Sequence, residues 1–256
     1  MSKLTNIFNP ETESLDDLLI GGMRLIQPLR GYRFSIDAVL LAYFPQLIGV
    51  KEAVDLGTGH AIIPHLLSYR KPDLKIIGVE IQAEMLSRAE RSVKYNSLQQ
   101  RIRIIKGDIK NISEVLHPSF ADIVTCNPPF WKKGSGHLSQ NLEKAVARHE
   151  ILVDLEQIIA AARYILIPGG KLCIIYTCDR LQEVLQLFST QRIAANRIRF
   201  IHSCLDEKAK LFLLEGEKDG NRLPKILPPL IIYTEQGKYS QEITQMYNLI
   251  DGEDRS

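Results

Sequence analysis

Two short segments carry residue types suited to one reaction. The apolar run Ala121-Asp122-Ile123-Val124-Thr125-Cys126 reads as a buried strand and closes on Asn127-Pro128-Pro129-Phe130. The Asn127 side-chain oxygen and the Pro128 carbonyl make a pair of acceptors for the two N–H bonds of a flat amine. Proline fixes φ and lacks an N–H, so it holds that carbonyl in one direction. Phe130 offers an aromatic face for a planar substrate. An exocyclic amine on adenine is a poor nucleophile, because its lone pair is delocalised into the ring. Two acceptors favour the pyramidal nitrogen needed for attack, so positioning carries most of the catalysis. No metal and no strong base are required.

Upstream, Asp55-Leu56-Gly57-Thr58-Gly59 forms a glycine turn at the end of another strand. Gly57, Thr58 and Gly59 permit a tight turn and close approach of backbone to a ligand. The third position of a G-x-G-x-G pattern is Ala61. That departure is expected to alter the turn slightly while keeping binding. Alone, the motif is weak, since an ordinary strand-to-helix turn looks the same.

Three acids at the ends of three consecutive strands strengthen it: Asp55, Glu80 and Asp108. Glu80, followed by Ile81, can accept hydrogen bonds from two ribose hydroxyls. Asp108 can accept from an adenine amino group while the Ile109 N–H donates to a ring nitrogen. Asp55 would repel a pyrophosphate and attract a methionine-like ammonium, which favours S-adenosylmethionine over NAD. No G-x-x-x-x-G-K-[ST] loop is present, so an NTPase is not supported. Together the two segments suggest methyl transfer to a planar nitrogen.

Alternating strands and helices must position these residues. Strands are expected at Glu52–Leu56, Lys75–Glu80, Ile102–Gly107, Ala121–Cys126 and Lys171–Thr177. Helices are expected at Ala61–Tyr69, Ala83–Asn96, Val153–Leu166 and Arg180–Gln191, with Pro168-Gly169-Gly170 stopping the third. Asn196–Ser203 and Lys208–Glu217 read as a final antiparallel hairpin. The expected divisions are an N-terminal extension over residues 1–50, a main domain over 51–250 and a frayed tail over 251–256.

The 256 residues are 45% apolar with a net charge of +2, so a strong polyelectrolyte binder is not indicated. No apolar run reaches the roughly 18 residues of a spanning helix, and Met1-Ser2-Lys3-Leu4-Thr5-Asn6 lacks a signal-peptide core. A cytoplasmic protein without membrane contact is expected. Cys126, Cys173, Cys178 and Cys204 form no C-x-x-C pair, so they read as reduced thiols rather than zinc ligands or disulfides.

These residues resemble the class I S-adenosylmethionine-dependent methyltransferases that carry an N-P-P-[FYW] motif. The resemblance implies a Rossmann-like α/β fold: a mostly parallel seven-stranded sheet, a C-terminal antiparallel hairpin and helices on both faces. Tyr32-Arg33-Phe34-Ser35-Ile36-Asp37-Ala38-Val39-Leu40-Leu41 and Ala147-Arg148-His149-Glu150 look like the bacterial tRNA adenine-N6 methyltransferase family acting on valine tRNA. That likeness implies that the leading segment covers the cofactor, with Arg33, Phe34 and Asp37 on the cofactor side, and that tRNA is the partner.

Trp131-Lys132-Lys133-Gly134-Ser135-Gly136 reads as a loop over the substrate, able to contact phosphate and stack on a base. Arg192, Arg197, Arg199, Lys208 and Lys210 form a basic hairpin region that a solvated sheet edge explains equally well. A monomer or weak dimer is expected. Glutamine methyltransferases acting on release factors use a near-identical loop but carry an N-terminal helical domain, for which 50 residues are too few. A non-catalytic RNA-binding module with the same fold is the alternative of another class, and the intact Asn127-Pro128-Pro129-Phe130 argues against it.

Overall fold

The computed structural model describes residues 7–31, 33, 35–129, 154–235 and 237–247. The strands β3 (Glu52–Leu56), β4 (Lys75–Glu80), β5 (Ile102–Lys106), β6 (Ala121–Cys126) and β7 (Leu166–Thr177) are all parallel, in spatial order β5-β4-β3-β6-β7. β9 (Leu211–Lys218) then pairs antiparallel with both β7 and β8 (Ile193–His202). These seven strands are the expected sheet with its antiparallel hairpin. Two short strands, β10 (Lys225–Ile226) and β11 (Leu230–Ile231), extend it by pairing parallel to β8.

Both sheet faces are apolar, as a parallel sheet requires. Ala53, Ile123, Cys173 and Leu213 face one core, and Val54, Val124, Ile174 and Leu214 face the other. The first core is covered by α1 (Ile36–Tyr43), α2 (Ile62–Arg70) and α3 (Ala83–Tyr95), the second by α4 (Leu155–Ile165) and α5 (Leu181–Thr190). Asp154 precedes α4, and its N–H donates to Gln157 Oε1 at 3.0 Å, half of a capping box.

Three expectations need correction. Pro168-Gly169-Gly170 does not stop α4, which ends at Ile165; it lies inside β7. Ala121 pairs with Leu166 while Ile123 pairs with Lys171, so these residues loop out of register, with Gly169 at φ +78°. The N-terminal region contains an unforeseen hairpin, β1 (Glu13–Asp17) against β2 (Arg24–Pro28). It docks on α3: Arg88 and Arg91 both donate to the Glu13 carboxylate at 2.7–2.9 Å, and Ser92 Oγ accepts from Ile26 N–H. The Arg91 hydrogen bond, with Arg88 behind it, holds the Glu13 pKa down at about 2.

Three of the five cations of the basic hairpin region are engaged within the fold. Arg197 reaches the buried Glu215 at 3.1 Å, donates to the Phe44 carbonyl at 2.7 Å and lies 4.6 Å over the Phe44 ring. Arg199 makes a paired contact with Glu242 at 2.6 and 2.7 Å, and Lys210 pairs with Glu207. Two of these arginines therefore hold neighbouring segments on the sheet: the C-terminal end of α1 and the last helix, α6 (Gln241–Met246). Just before α6, β12 (Tyr233–Glu235) and β13 (Lys238–Tyr239) pair, and Tyr233, Tyr239 and Tyr247 stack.

Candidate active site

The sheet changes winding direction between β3 and β6, because β3 leads outward to β4 while β6 leads to β7 on the other side. Ligands of open α/β sheets bind at the carboxyl ends of strands at such a point. Leu56 is registered with Cys126 on one side and with Val79 on the other. Gly57, Asn127 and Glu80 therefore leave three adjacent strands at one level, about 4.8 Å apart per strand. Glu80 is in turn registered with Lys106, which brings Gly107-Asp108 to the same rim.

The glycine turn is left-handed at Gly57 (φ +68°), Gly59 (φ +57°) and Ala61 (φ +62°, ψ +32°). Ala61 thus keeps the backbone that glycine would adopt rather than altering the turn, at a cost of about 1–2 kcal/mol. Ile109 packs alongside Gly57, whose notional Cβ would lie 3.9 Å from Ile109 Cδ1. Among the described residues, Thr58 and His60 apart, no atom lies within 4 Å of a Cβ placed at Gly59, so the space above it is open. Thr58 is buried beneath the turn, against Gly78, and only its backbone faces outward.

Glu80 is 4% exposed and already serves the turn. Its Oε2 accepts from the Gly59 N–H at 2.8 Å and its Oε1 from the Gln82 N–H at 2.9 Å. Burial raises its pKa, opposed by these backbone donors. Each carboxylate oxygen retains a lone pair for a further donor. Ile81 is half-buried beside it.

Asp55 is fully buried. Its Oδ1 accepts from Thr125 Oγ1 at 2.7 Å, and among the described residues no donor, the nearby Thr58 hydroxyl included, meets its Oδ2 in hydrogen-bonding geometry. Burial pushes its pKa up to about 7, with the Thr58 and Thr125 hydroxyls opposing and Glu80 adding to the rise. Asp108 caps the 3-10 turn Ile109–Glu114 by accepting from the Lys110 N–H at 2.9 Å. Asn127 is half-buried, Pro128 buried and Pro129 exposed. Phe130, Phe34, the loop from Trp131 and Arg148-His149-Glu150 lie outside the described residues.

Arg33 stands close enough to His60 of the turn for its charge to lower the imidazole pKa, while both Arg33 and Asp37 make their hydrogen bonds elsewhere. Arg33 binds Asp16 and Ser14 of β1, and Asp37 accepts from Ser35 Oγ at 2.9 Å. Among the described residues no hydrogen bond joins either to the glycine turn. Two polar residues of the site escaped the sequence reading. Thr125 is hidden in an apolar strand, although its alternation places it beside Asp55. His60 sits inside the turn, 3% exposed, with neither ring nitrogen hydrogen-bonded among the described residues.

Residues 36–201 match the family model of the methyltransferase small domain. The chain belongs to this family. It is an S-adenosyl-L-methionine-dependent methyltransferase. The turn fits a cofactor of that kind on two counts. Among the described residues Asp55 Oδ2 and His60 are buried polar groups without hydrogen-bond partners, and the space over Gly59 is open. The methyltransferase is 27% identical over 222 residues to a Porphyromonas gingivalis protein named tRNA1(Val) (adenine(37)-N6)-methyltransferase, covering 84% of this chain and 86% of that one. A Shewanella protein of the same name is 26% identical, covering 84% and 90%. Among solved structures, an Agrobacterium tumefaciens protein titled "a predicted O-methyltransferase" superposes with a TM-score of 0.68 at 21% identity, covering 83% of this chain and 95% of that one. P. horikoshii TYW2 in complex with MeSAdo gives 0.57 at 12% identity, covering 83% and 74%. Both share the fold of this methyltransferase. Among the described residues no helix is long and apolar enough to cross a membrane, and no cluster of metal-ligating side chains occurs.

Proposed function

We propose that this methyltransferase acts on the N6 amine of an adenine in tRNA, with the adenine at position 37 of a valine tRNA as the target suggested by its relatives' names. The observation that carries the reading is the shared level of Gly57 and Asn127 on paired strands. The cofactor turn and the amine-binding motif then lie one strand spacing apart. Bound S-adenosylmethionine would supply a sulfonium methyl group: its carbon–sulfur bond breaks as the nitrogen–carbon bond forms, the sulfur is left as a neutral thioether, and the methylated nitrogen gives up one proton to water.

Asn127 Oδ1 and the Pro128 carbonyl accept the two amine N–H bonds, turning the nitrogen lone pair toward the methyl. Phe130 stacks on the adenine, which must leave its neighbours to reach the motif. Asp55, steered by Thr125, turns Oδ2 to the ammonium of the cofactor's amino-acid end. Glu80 uses its remaining lone pairs for the ribose hydroxyls, beside Ile81. Asp108 and the Ile109 N–H meet the cofactor's adenine. Arg33, Phe34 and Asp37 belong to a leading segment that closes over the site. The basic start of the Trp131-Lys132-Lys133 loop contacts phosphate, so activity falls with added salt. A cytoplasmic monomer or weak dimer is the working form.

Radiolabelled cofactor offered with total tRNA or with a peptide-release factor tests the acceptor. Label is expected in tRNA and not in the release factor. Label in the release factor's glutamine alone overturns the RNA reading and leaves the fold and cofactor standing.

A further inference from the structure

The ring of His65 reaches back from the first turns of α2 to the glycine turn that precedes the helix. Its Nδ1 lies 2.7 Å from the Ala61 carbonyl oxygen, and the His65 backbone N–H donates to the same oxygen at 3.1 Å. The backbone bond is the ordinary i→i−4 bond that opens the helix, and any residue with an N–H would make it there. The ring bond is particular to histidine. A carbonyl oxygen only accepts, so this bond requires the ring proton on Nδ1. His65 is fully buried, and burial lowers its pKa, so the ring is neutral near pH 7 and carries a single N–H. The Ser92 backbone on α3 also favours a proton on the ring, yet among the described residues Nε2 meets no partner in hydrogen-bonding geometry. The Ala61 oxygen therefore takes the one proton the ring has to give.

Ala61 is the residue of the turn that needs such a bond. It stands where a G-x-G-x-G pattern has its third glycine, and its backbone is left-handed at φ +62° and ψ +32°. Glycine adopts that conformation freely, whereas a residue with a Cβ is strained in it. The strain is of the same order as the contribution of one internal hydrogen bond. On its amino side Ala61 is held by its own N–H, which donates to the Thr58 carbonyl at 2.9 Å. On its carbonyl side it is held by His65, twice over. The ring bond is thus sited on the one peptide group whose direction decides whether Ala61 stays left-handed, and it is large enough to offset what the missing glycine costs.

We propose that His65 is a positioning residue of the cofactor turn, holding the Ala61 carbonyl through its Nδ1–H and so keeping Ala61 left-handed before the cofactor arrives. This rests on the reading of the glycine turn as the cofactor site. Being fully buried, His65 acts through Ala61 rather than on the ligand. Without the ring bond the left-handed state of Ala61 is less populated, and a ligand that needs that state binds more weakly in proportion to the lost population. The chain can carry alanine at the third glycine position because histidine stands four residues later.

The test is a double-mutant cycle read in cofactor binding. S-adenosylhomocysteine is titrated calorimetrically into the full-length protein carrying His65→Leu or His65→Asn, each with and without Ala61→Gly. His65→Leu alone is expected to weaken binding about 3- to 10-fold, the range for one lost internal hydrogen bond. His65→Asn, whose amide nitrogen falls where Nδ1 stands, should recover most of the affinity. In the Ala61→Gly background, where the left-handed backbone is unstrained, His65→Leu should cost less than about 2-fold. A histidine that merely fills space weakens binding equally in both backgrounds and is not rescued by asparagine. Either of those results overturns the proposal, as does unchanged binding in His65→Leu. Nitrogen NMR of the wild-type imidazole, which needs no variant to fold, is expected to find the proton on Nδ1; a proton on Nε2 overturns the proposal by itself. If the wild type binds no cofactor, the reading of the turn fails instead, and the NMR result still judges the His65–Ala61 bond.

Discussion

Glu80 is the residue whose replacement separates two roles that a sequence alone assigns as one. Its two oxygens take the N–H groups of Gly59 and Gln82 at 2.8 and 2.9 Å, and the side chain is 4% exposed. Glu80→Gln preserves size but has one acceptor oxygen instead of two. One of the two backbone donors must then face an amide NH₂. Losing a charge-assisted hydrogen bond with the donor left buried costs about 1.5–3 kcal/mol. Burial has already raised the Glu80 pKa, so neutralising the group relieves some desolvation and favours the lower half of that range. For a chain of this size each kcal/mol moves Tm by about 2–4 °C, so a fall of about 3–9 °C is expected in the ligand-free protein. Scanning calorimetry without cofactor, followed by titration with S-adenosylhomocysteine, reads both effects. A ligand-free Tm within about 1 °C of the wild type, combined with weakened ligand binding, would refute the reasoning that Glu80 shapes the turn before the cofactor arrives.

Asp55 should reveal itself through pH. Its folded pKa is raised from 3.8 to about 7, so the folded state holds a proton that the unfolded chain releases, and this group's contribution to stability falls as pH rises from about 4 to about 7. Asp55→Asn lacks that loss, so denaturant titrations of the ligand-free proteins should show the variant gaining on the wild type across that window, by at most about 4 kcal/mol, and level above it; parallel curves would contradict this. Asn127→Ala is expected to retain the wild-type Tm while kcat/KM falls at least about 100-fold, the scale of one preorganised polar contact, measured by methyl transfer to tRNA. Gly78→Ala would place a Cβ 2.9 Å from Thr58 and Ile104 atoms; overpacking there should cost about 1–3 kcal/mol, read from the urea midpoint.

The parts of the fold that sequence made legible are those built on local pattern. β3, β4 and β6 are short apolar runs closed by a glycine, an acid or Asn-Pro, and their observed bounds coincide with the expected ones. Pro168-Gly169-Gly170 misled because the same residues that stop a helix also permit a strand to loop out. The β1–β2 hairpin was hidden by the polar stretch Glu13-Ser14-Leu15-Asp16-Asp17, whose acids find their partners on α3 and the leading segment. Arg199 reads as a free cation until Glu242, 43 residues away, is brought beside it. The glycine turn and the Asn127 motif were each visible as composition, and strand alternation placed them on one rim. The left-handed Ala61, the Thr125–Asp55 contact and the unpartnered His60 depend on backbone angles and cross-strand neighbours that carry no local signature.

The most direct measurement of the central claim is the chemical identity of the methylated product. The purified protein is incubated with labelled cofactor and tRNA, the tRNA is digested to nucleosides, and the label is located by chromatography and mass spectrometry. Label in N6-methyladenosine with the wild type, and near-background label with Asn127→Ala, is the expected result. Label on a ribose oxygen or on another base, or wild-type labelling by Asn127→Ala, would contradict the assignment of the Asn127-Pro128 acceptors to an adenine amine.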